Sequence, residues 1–246
     1  MHLPQEQKDF YRDNGYLAVE NVIPLDVIAG VKERFDWLCR HWDSPEAQRV
    51  NLSHEAGVTA EKRTAKTVRK FQHLWPHEPI FRSHALHANL LNVAADLIGT
   101  PMSLYDDLAL LKPPSVGSAK PAHQDNAYFK VEPPGAVITC WCAIDDATLD
   151  NGCMRYIPRS HKHGLIGHKH IEGTTHLVPE GFDPEQAVPV PLRAGGVVCH
   201  HSLTLHFSLE NSTPNWRRSY ICHYIRDDAD LSKGGVPASW LLHVRD

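Results

Sequence analysis

The first hundred residues alternate polar and apolar positions mostly at helical spacing. Gln5 to Asn14 make a short segment that stops at Gly15, a residue suited to ending helices. Tyr16-Leu17-Ala18-Val19 then reads as a strand. Pro24 stands near the start of a second helix, in which Val27, Ile28, Val31, Phe35 and Leu38 recur every three or four residues. Positions 45–70 are polar and charged with few apolar anchors, and a mobile loop or weak helix is expected there. Helical spacing resumes from Ile80 to Ile98 and ends at Gly99-Thr100-Pro101.

Beyond Pro101 the period changes. Short β-like runs alternate with turn residues: Ser103–Leu111, Ala136–Ile144, Met154–Ile157, Ala187–Leu192, Gly196–His200 and Ser219–Ile225. Many short strands with Pro and Gly turns indicate a sandwich or barrel. The pattern predicts one domain over residues 1–246, mainly β with flanking helices. Its helical part spans about 1–100 and its antiparallel β core about 101–226. Stretches 113–122 and 158–186 are rich in Gly, Pro, Lys and His. They read as long loops, which on a β scaffold often carry function.

Composition narrows the partners. Hydrophobic residues make up 42% of the 246 and charged residues 22%, ordinary values for a soluble globular protein. A net charge of −4 lacks the basic field that nucleic-acid binding uses. No apolar run approaches the roughly 18 residues of a membrane span. The chain starts without a basic-then-apolar leader and ends without a peroxisomal address, so a cytoplasmic location and a small-molecule partner are expected. None of the six cysteines forms a C-x-x-C pair, which argues against a zinc ribbon and for buried free thiols. The 18 histidines prove nothing by number; the spacing of a few matters.

His123-Gln124-Asp125 places an imidazole and a carboxylate two residues apart, on one face of an extended chain, where both can meet one ion. Two histidines and a carboxylate leave coordination positions open on iron(II), which suits oxygen chemistry. An H-x-D alone occurs by chance in many proteins. The downstream segment gives it context: Gly195-Gly196, a buried strand, then His200, His201 and His206, then Arg217 and Arg218 opening another strand. Three histidines compete for the third ligand position, and His200 and His201 also read as structural or supporting groups.

Across most of its length, from about Phe10 to Tyr224, the chain resembles the phytanoyl-CoA dioxygenase family of iron/2-oxoglutarate oxygenases. The resemblance rests on Phe10 to Tyr16, Lys112-Pro113-Pro114, His123-Gln124-Asp125 with Tyr128-Phe129, Trp141 to Thr148, Asp150 to Met154 and Ile157 to Lys162. It continues with His206-Phe207-Ser208, Asn211-Ser212 and Arg217, all in family order and spacing. One departure is Arg159, where the family usually has Gly. The resemblance implies a double-stranded β-helix, or jelly roll, of cupin-like build. It implies His123, Asp125 and His206 as ligands of iron(II), and Arg217 as partner of the distal carboxylate of 2-oxoglutarate. With O₂ as co-reactant, the implied reaction is oxidation of a small metabolite with release of succinate and CO₂. Related halogenases lack the carboxylate that Asp125 provides, so hydroxylation is expected, with desaturation and ring formation left open as variants.

Strand period supports the choice of arginine. Arg217 and Ser219 share one face, Arg218 and Tyr220 the other, so Arg218 is expected to matter little for 2-oxoglutarate binding. A guanidinium offers a carboxylate two parallel hydrogen bonds. Thr139 and Trp141 share a face and are expected to line the pocket or pack the core. By the resemblance Lys112 touches cosubstrate or substrate; otherwise it is a solvated strand-end lysine. Asn151-Gly152 reads as a turn, and Ser160-His161 as a loop-shaping pair. Three rivals remain open: a cupin-like metalloenzyme without 2-oxoglutarate, a macromolecular demethylase with the same triad, and a non-catalytic binding protein on this scaffold.

Overall fold

Helical spacing in the first hundred residues becomes four helices in the computed structural model, which describes residues 1–172, 174, 176–233 and 240–246. They are α1 (Gln5–Asn14), α2 (Leu25–Arg40), α3 (Pro79–Ala85) and α4 (Ala88–Ile98). Gly15 closes α1 in a left-handed conformation, φ 81°. The run expected from Ile80 to Ile98 is two helices rather than one. His87 is extended and its Nδ1 accepts the Asn89 N–H at 3.3 Å, capping a new helix inside the apolar period.

Every predicted strand is present: β1 (Tyr16–Val19), β4 (Met102–Lys112), β6 (Val137–Ala143), β7 (Met154–Tyr156), β10 (Val188–Val190), β11 (Val197–His201) and β13 (Arg217–Arg226). Others were not expected: β2 (Ser53–His54), β3 (Val68–Gln72), β5 (Lys120–His123), β8 (His168–His170), β9 (Leu177–Pro179), β12 (His206–Ser208) and β14 (Leu242–Arg245). Residues 45–70 are therefore neither loop nor weak helix throughout. They contain β2 and lead into β3, which pairs with β4. The division near residue 100 is not clean either, because β1, β2 and β3 precede it and β14 follows residue 226, all within the large sheet.

Among the described residues, β1-β11-β6-β13-β4-β3-β2, with β14 on β4, form an eight-stranded sheet. A four-stranded sheet, β10-β7-β12-β5, faces it. This is a double-stranded β-helix, mainly β with flanking helices, as the resemblance implies. The central strands of the large sheet are buried on both faces: β6 is apolar apart from Thr139, and β13 is buried from Arg217 to Ile225 although it carries Arg217, Arg218, Ser219 and His223. Ile138, Cys140 and Cys142 of β6, with Tyr220, Cys222 and Tyr224 of β13, pack against Phe35, Leu38, Leu90 and Val93 of the helices. Trp141, Ala143 and Ile221 point the other way, toward Met154 and Tyr156 of the small sheet. All six cysteines are free and buried; Cys199, Cys140 and Cys222 stand in register across β11, β6 and β13.

The helix layer contains one acid-sensitive group. His84 of α3 is fully buried edge-on to Tyr220, ring centroids 5.1 Å apart, and neither ring nitrogen has a hydrogen-bond partner. Burial pushes its pKa down to about 3. Above pH ~6.5 the ring is neutral in folded and unfolded chains. As pH falls below that value the unfolded chain takes up the proton and the folded one does not, so stability is lost progressively toward pH 3. His84→Leu should remove this loss, lowering the drop in unfolding free energy between pH 6.5 and 5 by about 2 kcal/mol. Urea unfolding at the two pH values measures it; an unchanged drop would mean that the ring is not the group responsible.

Candidate metal centre

Strands β5 and β12 bring the H-x-D and the distal histidine together. The strands are antiparallel with His206 directly opposite His123, and the two rings lie 4.2 Å apart. Asp125 Oδ1 is 3.5 Å from His123 Nε2 and 3.6 Å from His206 Nε2. All three side chains are buried, and their candidate ligand atoms lie within 4.8 Å of one another.

Hydrogen bonds fix what each atom offers. His123 Nδ1 lies 2.8 Å from the Pro121 carbonyl and His206 Nδ1 2.9 Å from the Thr204 carbonyl. A carbonyl only accepts, so each Nδ1 carries the proton and each Nε2 presents a lone pair to the common point. Burial lowers the pKa of both rings, which keeps them neutral as ligation requires. Burial opposes charge on Asp125, but the surrounding His206, His123 and His200 outweigh it and hold the carboxyl well below its usual range. Asp125 Oδ2 is occupied: the Thr139 hydroxyl donates to it at 2.6 Å and His200 Nε2 at 3.0 Å. His200 Nδ1 in turn lies 3.0 Å from the Tyr156 hydroxyl. His200 therefore supports the carboxylate. Having given its proton to Asp125, Thr139 Oγ1 accepts from His223 Nδ1 at 3.0 Å. Two neutral imidazole nitrogens and one free carboxylate oxygen suit a divalent transition ion with open positions.

Gln124, between the two H-x-D residues, is fully buried. Its amide donates to Gly164 O at 2.9 Å and Leu203 O at 2.7 Å, and its carbonyl accepts from Ile166 N at 3.0 Å. Its backbone N–H donates to His168 Nε2 at 3.3 Å. One side chain thus ties the 164–168 loop and the turn before His206 to the H-x-D strand.

The centre opens into a cavity of about 420 Å³ between the sheets. At one end stands Arg217, only 2% exposed. Among the described residues its side chain has one hydrogen bond, from Nη1 to Ser219 Oγ at 3.3 Å, and its Nε is buried without a partner. Its guanidinium carbon lies 5.4 Å from the Trp141 ring centre, and Trp141 Nε1 is likewise a buried donor without a partner. Burial, then the neighbouring Arg69, lowers the Arg217 pKa. Among the described residues no carboxylate lies within ion-pair distance of it. Two unpaired donors facing one cavity fit a carboxylate ligand.

The remaining expected residues fall in different places. Ser219 donates to Leu110 O at 3.0 Å and accepts from Arg217, so it steadies the guanidinium rather than lining the cavity. Thr139 lines the cavity but its hydroxyl serves Asp125, while Trp141 lines it directly. Lys112 is neither a cavity contact nor solvated. It is fully buried where the 113–118 turn folds over it, and its ammonium donates to Ser118 O at 2.5 Å. Burial, then Arg217 and Arg69, pushes it down to about 5. Arg218 lies outside the cavity lining, on the face opposite Arg217; there it holds Asp145 in a fork at 2.7 and 3.0 Å and pairs with Asp36 of α2. Asn151-Gly152 forms the expected turn, and Ser160 accepts Leu205 N–H at 2.8 Å. Arg159 takes the left-handed conformation, φ 66°, at the place where the family usually has Gly.

Sequence reasoning missed Arg69, Lys70 and Gln72 of β3, Asp106 of β4, Lys120 of β5 and His223 of β13, all in the cavity wall. A second cluster, His73, Asp106 and Asp107, lies close together. Asp107 is already taken up by the N–H groups of Leu74 and Trp75 and by the Tyr220 hydroxyl, so it is a structural carboxylate.

Gln124→Leu strands the buried Leu203 carbonyl and leaves the part-buried Gly164 carbonyl and Ile166 N–H without this partner, and unsatisfied buried groups cost about 1–3 kcal/mol each. The expected result is a loss of at least about 2 kcal/mol in stability with faster amide exchange at Ile166. Unchanged exchange there would show that the loop does not depend on this side chain. Arg218→Ala breaks a mostly buried pair and should destabilise by about 3 kcal/mol in urea unfolding; an unchanged midpoint would mean that the Asp145 fork contributes nothing.

Comparison with known proteins matches this architecture. A Caenorhabditis elegans protein bearing the phytanoyl-CoA dioxygenase name is 30% identical over 239 residues, covering 92% of this chain and 76% of that one. The peroxisomal phytanoyl-CoA dioxygenase of Rattus norvegicus is 28% identical over 235 residues, covering 92% and 69%. Among solved structures, EvdO2 from Micromonospora carbonacea var. aurantiaca complexed with 2-oxoglutarate superposes with a TM-score of 0.71 at 22% identity, covering 98% and 97%. The carbocyclase SnoK from nogalamycin biosynthesis gives 0.72 at 24%, covering 94% and 87%, and both likenesses speak for the fold. The phytanoyl-CoA dioxygenase profile matches residues 11–219, and the chain belongs to that family.

Proposed function

We infer that the protein is an iron(II)- and 2-oxoglutarate-dependent oxygenase acting on a small molecule, and we propose that its reaction is a hydroxylation. The observation that carries this reading is Arg217: a buried guanidinium without a counter-charge, opening into the same cavity as a two-histidine, one-carboxylate set. A cupin-like metalloenzyme without an acidic cosubstrate has no use for that cation. In this reading His123 Nε2, His206 Nε2 and Asp125 Oδ1 hold iron(II). Arg217, with Trp141 Nε1 beside it, takes the distal carboxylate of 2-oxoglutarate. Iron(II) with this cosubstrate supplies the oxidising power of O₂, with succinate and CO₂ as by-products.

The chain's own contribution is placement and exclusion. Thr139 and His200 occupy one oxygen of Asp125, leaving the other for the metal. The carbonyls of Pro121 and Thr204 set both imidazole tautomers. Leu108, Leu110, Phe129 and Ile221 give the cavity apolar walls that limit water around the substrate. Asp125 fills the position that halogenases leave to chloride, which favours hydroxyl transfer. We take residues 1–246 as one domain and the location as cytoplasmic. In support, apolar core residues of helices and sheet pack together, and every thiol is free and buried. No helix among the described residues is long and apolar enough to cross a membrane.

Alanine at His123, Asp125 or His206 should abolish stoichiometric iron(II) binding, measured anaerobically by equilibrium dialysis, while circular dichroism stays unchanged. Full binding by the His206 variant would move the ligand elsewhere. Truncating one partner of a buried charge pair costs about 2–5 kcal/mol, on the order of 30-fold or more in affinity. Arg217→Ala should weaken 2-oxoglutarate binding by that factor with iron affinity retained, and Arg217→Lys should recover only part. Titration of 2-oxoglutarate into the anaerobic iron(II) protein, followed by the metal-to-ligand absorption band, reads both. Absence of any band in the unmodified protein would remove 2-oxoglutarate from the reading. Succinate formation over a panel of small molecules then tests turnover, and product analysis separates hydroxylation from desaturation or ring closure.

A further inference from the structure

Four cationic side chains line the cavity, Arg69, Lys70, Lys120 and Arg217, against two carboxylates, Asp106 and Asp125. The charges that face each of them differ. Arg69 pairs with buried Glu55 at 3.4 Å, and Glu55 is itself held by the Ser118 hydroxyl at 2.6 Å. Lys70 makes no ion pair among the described residues, but it lies in the field of Asp106, a carboxylate outside the metal centre whose Oδ2 accepts from Gln72 at 3.0 Å. Under the reading above, Arg217 meets the distal carboxylate of the cosubstrate. Asp125 and the cosubstrate's keto-acid carboxylate neutralise a divalent ion. Lys120 is left over.

The surroundings of Lys120 hold no anion for it. Its ammonium donates to His176 Nδ1 at 3.2 Å and lies 5.8 Å from the Tyr128 ring centre. Among the described residues no carboxylate lies within ion-pair distance. The one carboxylate whose field reaches it is Asp125, committed to the metal centre. Burial, partly offset by Asp125, and then Lys70 and Arg69, push Lys120 down to about 8, the condition of an ammonium short of a counter-ion. Its position is also distinct from that of Arg217. Lys120 opens β5, three residues before His123, and Tyr128, whose ring it faces, accepts the Leu177 N–H at 2.8 Å and so joins the wall to β9.

We propose that Lys120 is the recognition point for an anionic group, a carboxylate or a phosphate, on the primary substrate, which lies along the apolar wall of Tyr128, Phe129 and Leu108. The proposal rests on the oxygenase reading, because that reading assigns Arg217 and Asp125 to other partners. It makes the substrate a small amphiphilic anion whose oxidised carbon sits one short arm away from its charged end.

The test uses hexanoate and hexyl phosphate as probes and hexan-1-ol as the uncharged control. Each is titrated calorimetrically into the anaerobic protein carrying iron(II) and saturating 2-oxoglutarate. We expect at least one anion to bind tenfold or more tightly than hexan-1-ol, and the two anions separate carboxylate from phosphate recognition. Lys120→Met should erase the preference and Lys120→Arg should keep most of it, with 2-oxoglutarate affinity within twofold of the unmodified protein in both. Lys120→Gln stands in if the Met variant does not fold. Equal binding of anions and alcohol by the unmodified protein, or an anion preference that survives in Lys120→Met, overturns the proposal. So does an anion that displaces 2-oxoglutarate, since it would then occupy the Arg217 site. If 2-oxoglutarate itself fails to bind, the oxygenase reading falls first. The same titrations without it then show whether a Lys120-dependent anion site exists, and its absence overturns the proposal independently.

Discussion

Burying a guanidinium without a counter-charge is costly, and the strand that permits it organises the remainder. Along β13 the side chains alternate between two environments with a period of two. Arg217, Ile221 and His223 face the cavity; Arg218, Tyr220, Cys222 and Tyr224 face or join the helix layer. The two adjacent arginines therefore meet opposite fates. Arg218 closes on Asp145 and Asp36 and ties α2 to the sheet, while Arg217 is sealed on the inner side over the Trp141 ring, hydrogen-bonded to the Ser219 hydroxyl. An isolated buried cation is tolerated where a ligand completes it. The same alternation on β6 gives Trp141 to the cavity and Cys140 to the core, so one register sets both the anchor and the hydrophobic layer behind it.

A second level of order lies in the hydrogen bonds around Asp125. Its two oxygens differ because one is held by Thr139 and His200, and those residues are held by His223 and Tyr156. Each proton in this chain has a determined owner, since the carboxylate only accepts and each hydroxyl has a single hydrogen to give. Side chains from β6, β7, β11 and β13 thus fix one oxygen atom, which makes the centre rigid before any ion arrives.

How much of this could be read beforehand depended on whether function followed a period. The proximity of His123 and Asp125 was legible from their separation of two residues, although the strand ends at His123 and Asp125 already takes helical angles, and the inward face of Arg217 was legible because Ser219 shares it. His206 needed the family resemblance, since β12 is three residues long and too short to show a period. Strand β3 escaped for a physical reason: Arg69, Lys70 and Gln72 are polar because they line a cavity, which erased the apolar alternation that would have marked a strand. Lys120 escaped similarly, on a four-residue strand interrupted by Pro121. Lys112 was misplaced because its direction is set by a turn folding back over it, a tertiary fact absent from local pattern. The helices of the first hundred residues were legible from spacing alone, except at His87, where a side-chain cap divides an unbroken apolar run.

The ladder of Cys199, Cys140 and Cys222, with Cys142 beside it, belongs to the face of the large sheet that packs on the helices. The cavity lies on the other face, where Met154 alone among the lining residues carries sulfur. The sheet is therefore a partition for these four thiols, which a full thickness of backbone separates from the centre, whereas Cys153 packs with Trp141 and Met154 on the cavity side. A metal that activates oxygen on one side leaves the thiols on the other out of reach, and a stray oxidant meets Met154, Trp141 or Tyr128 first.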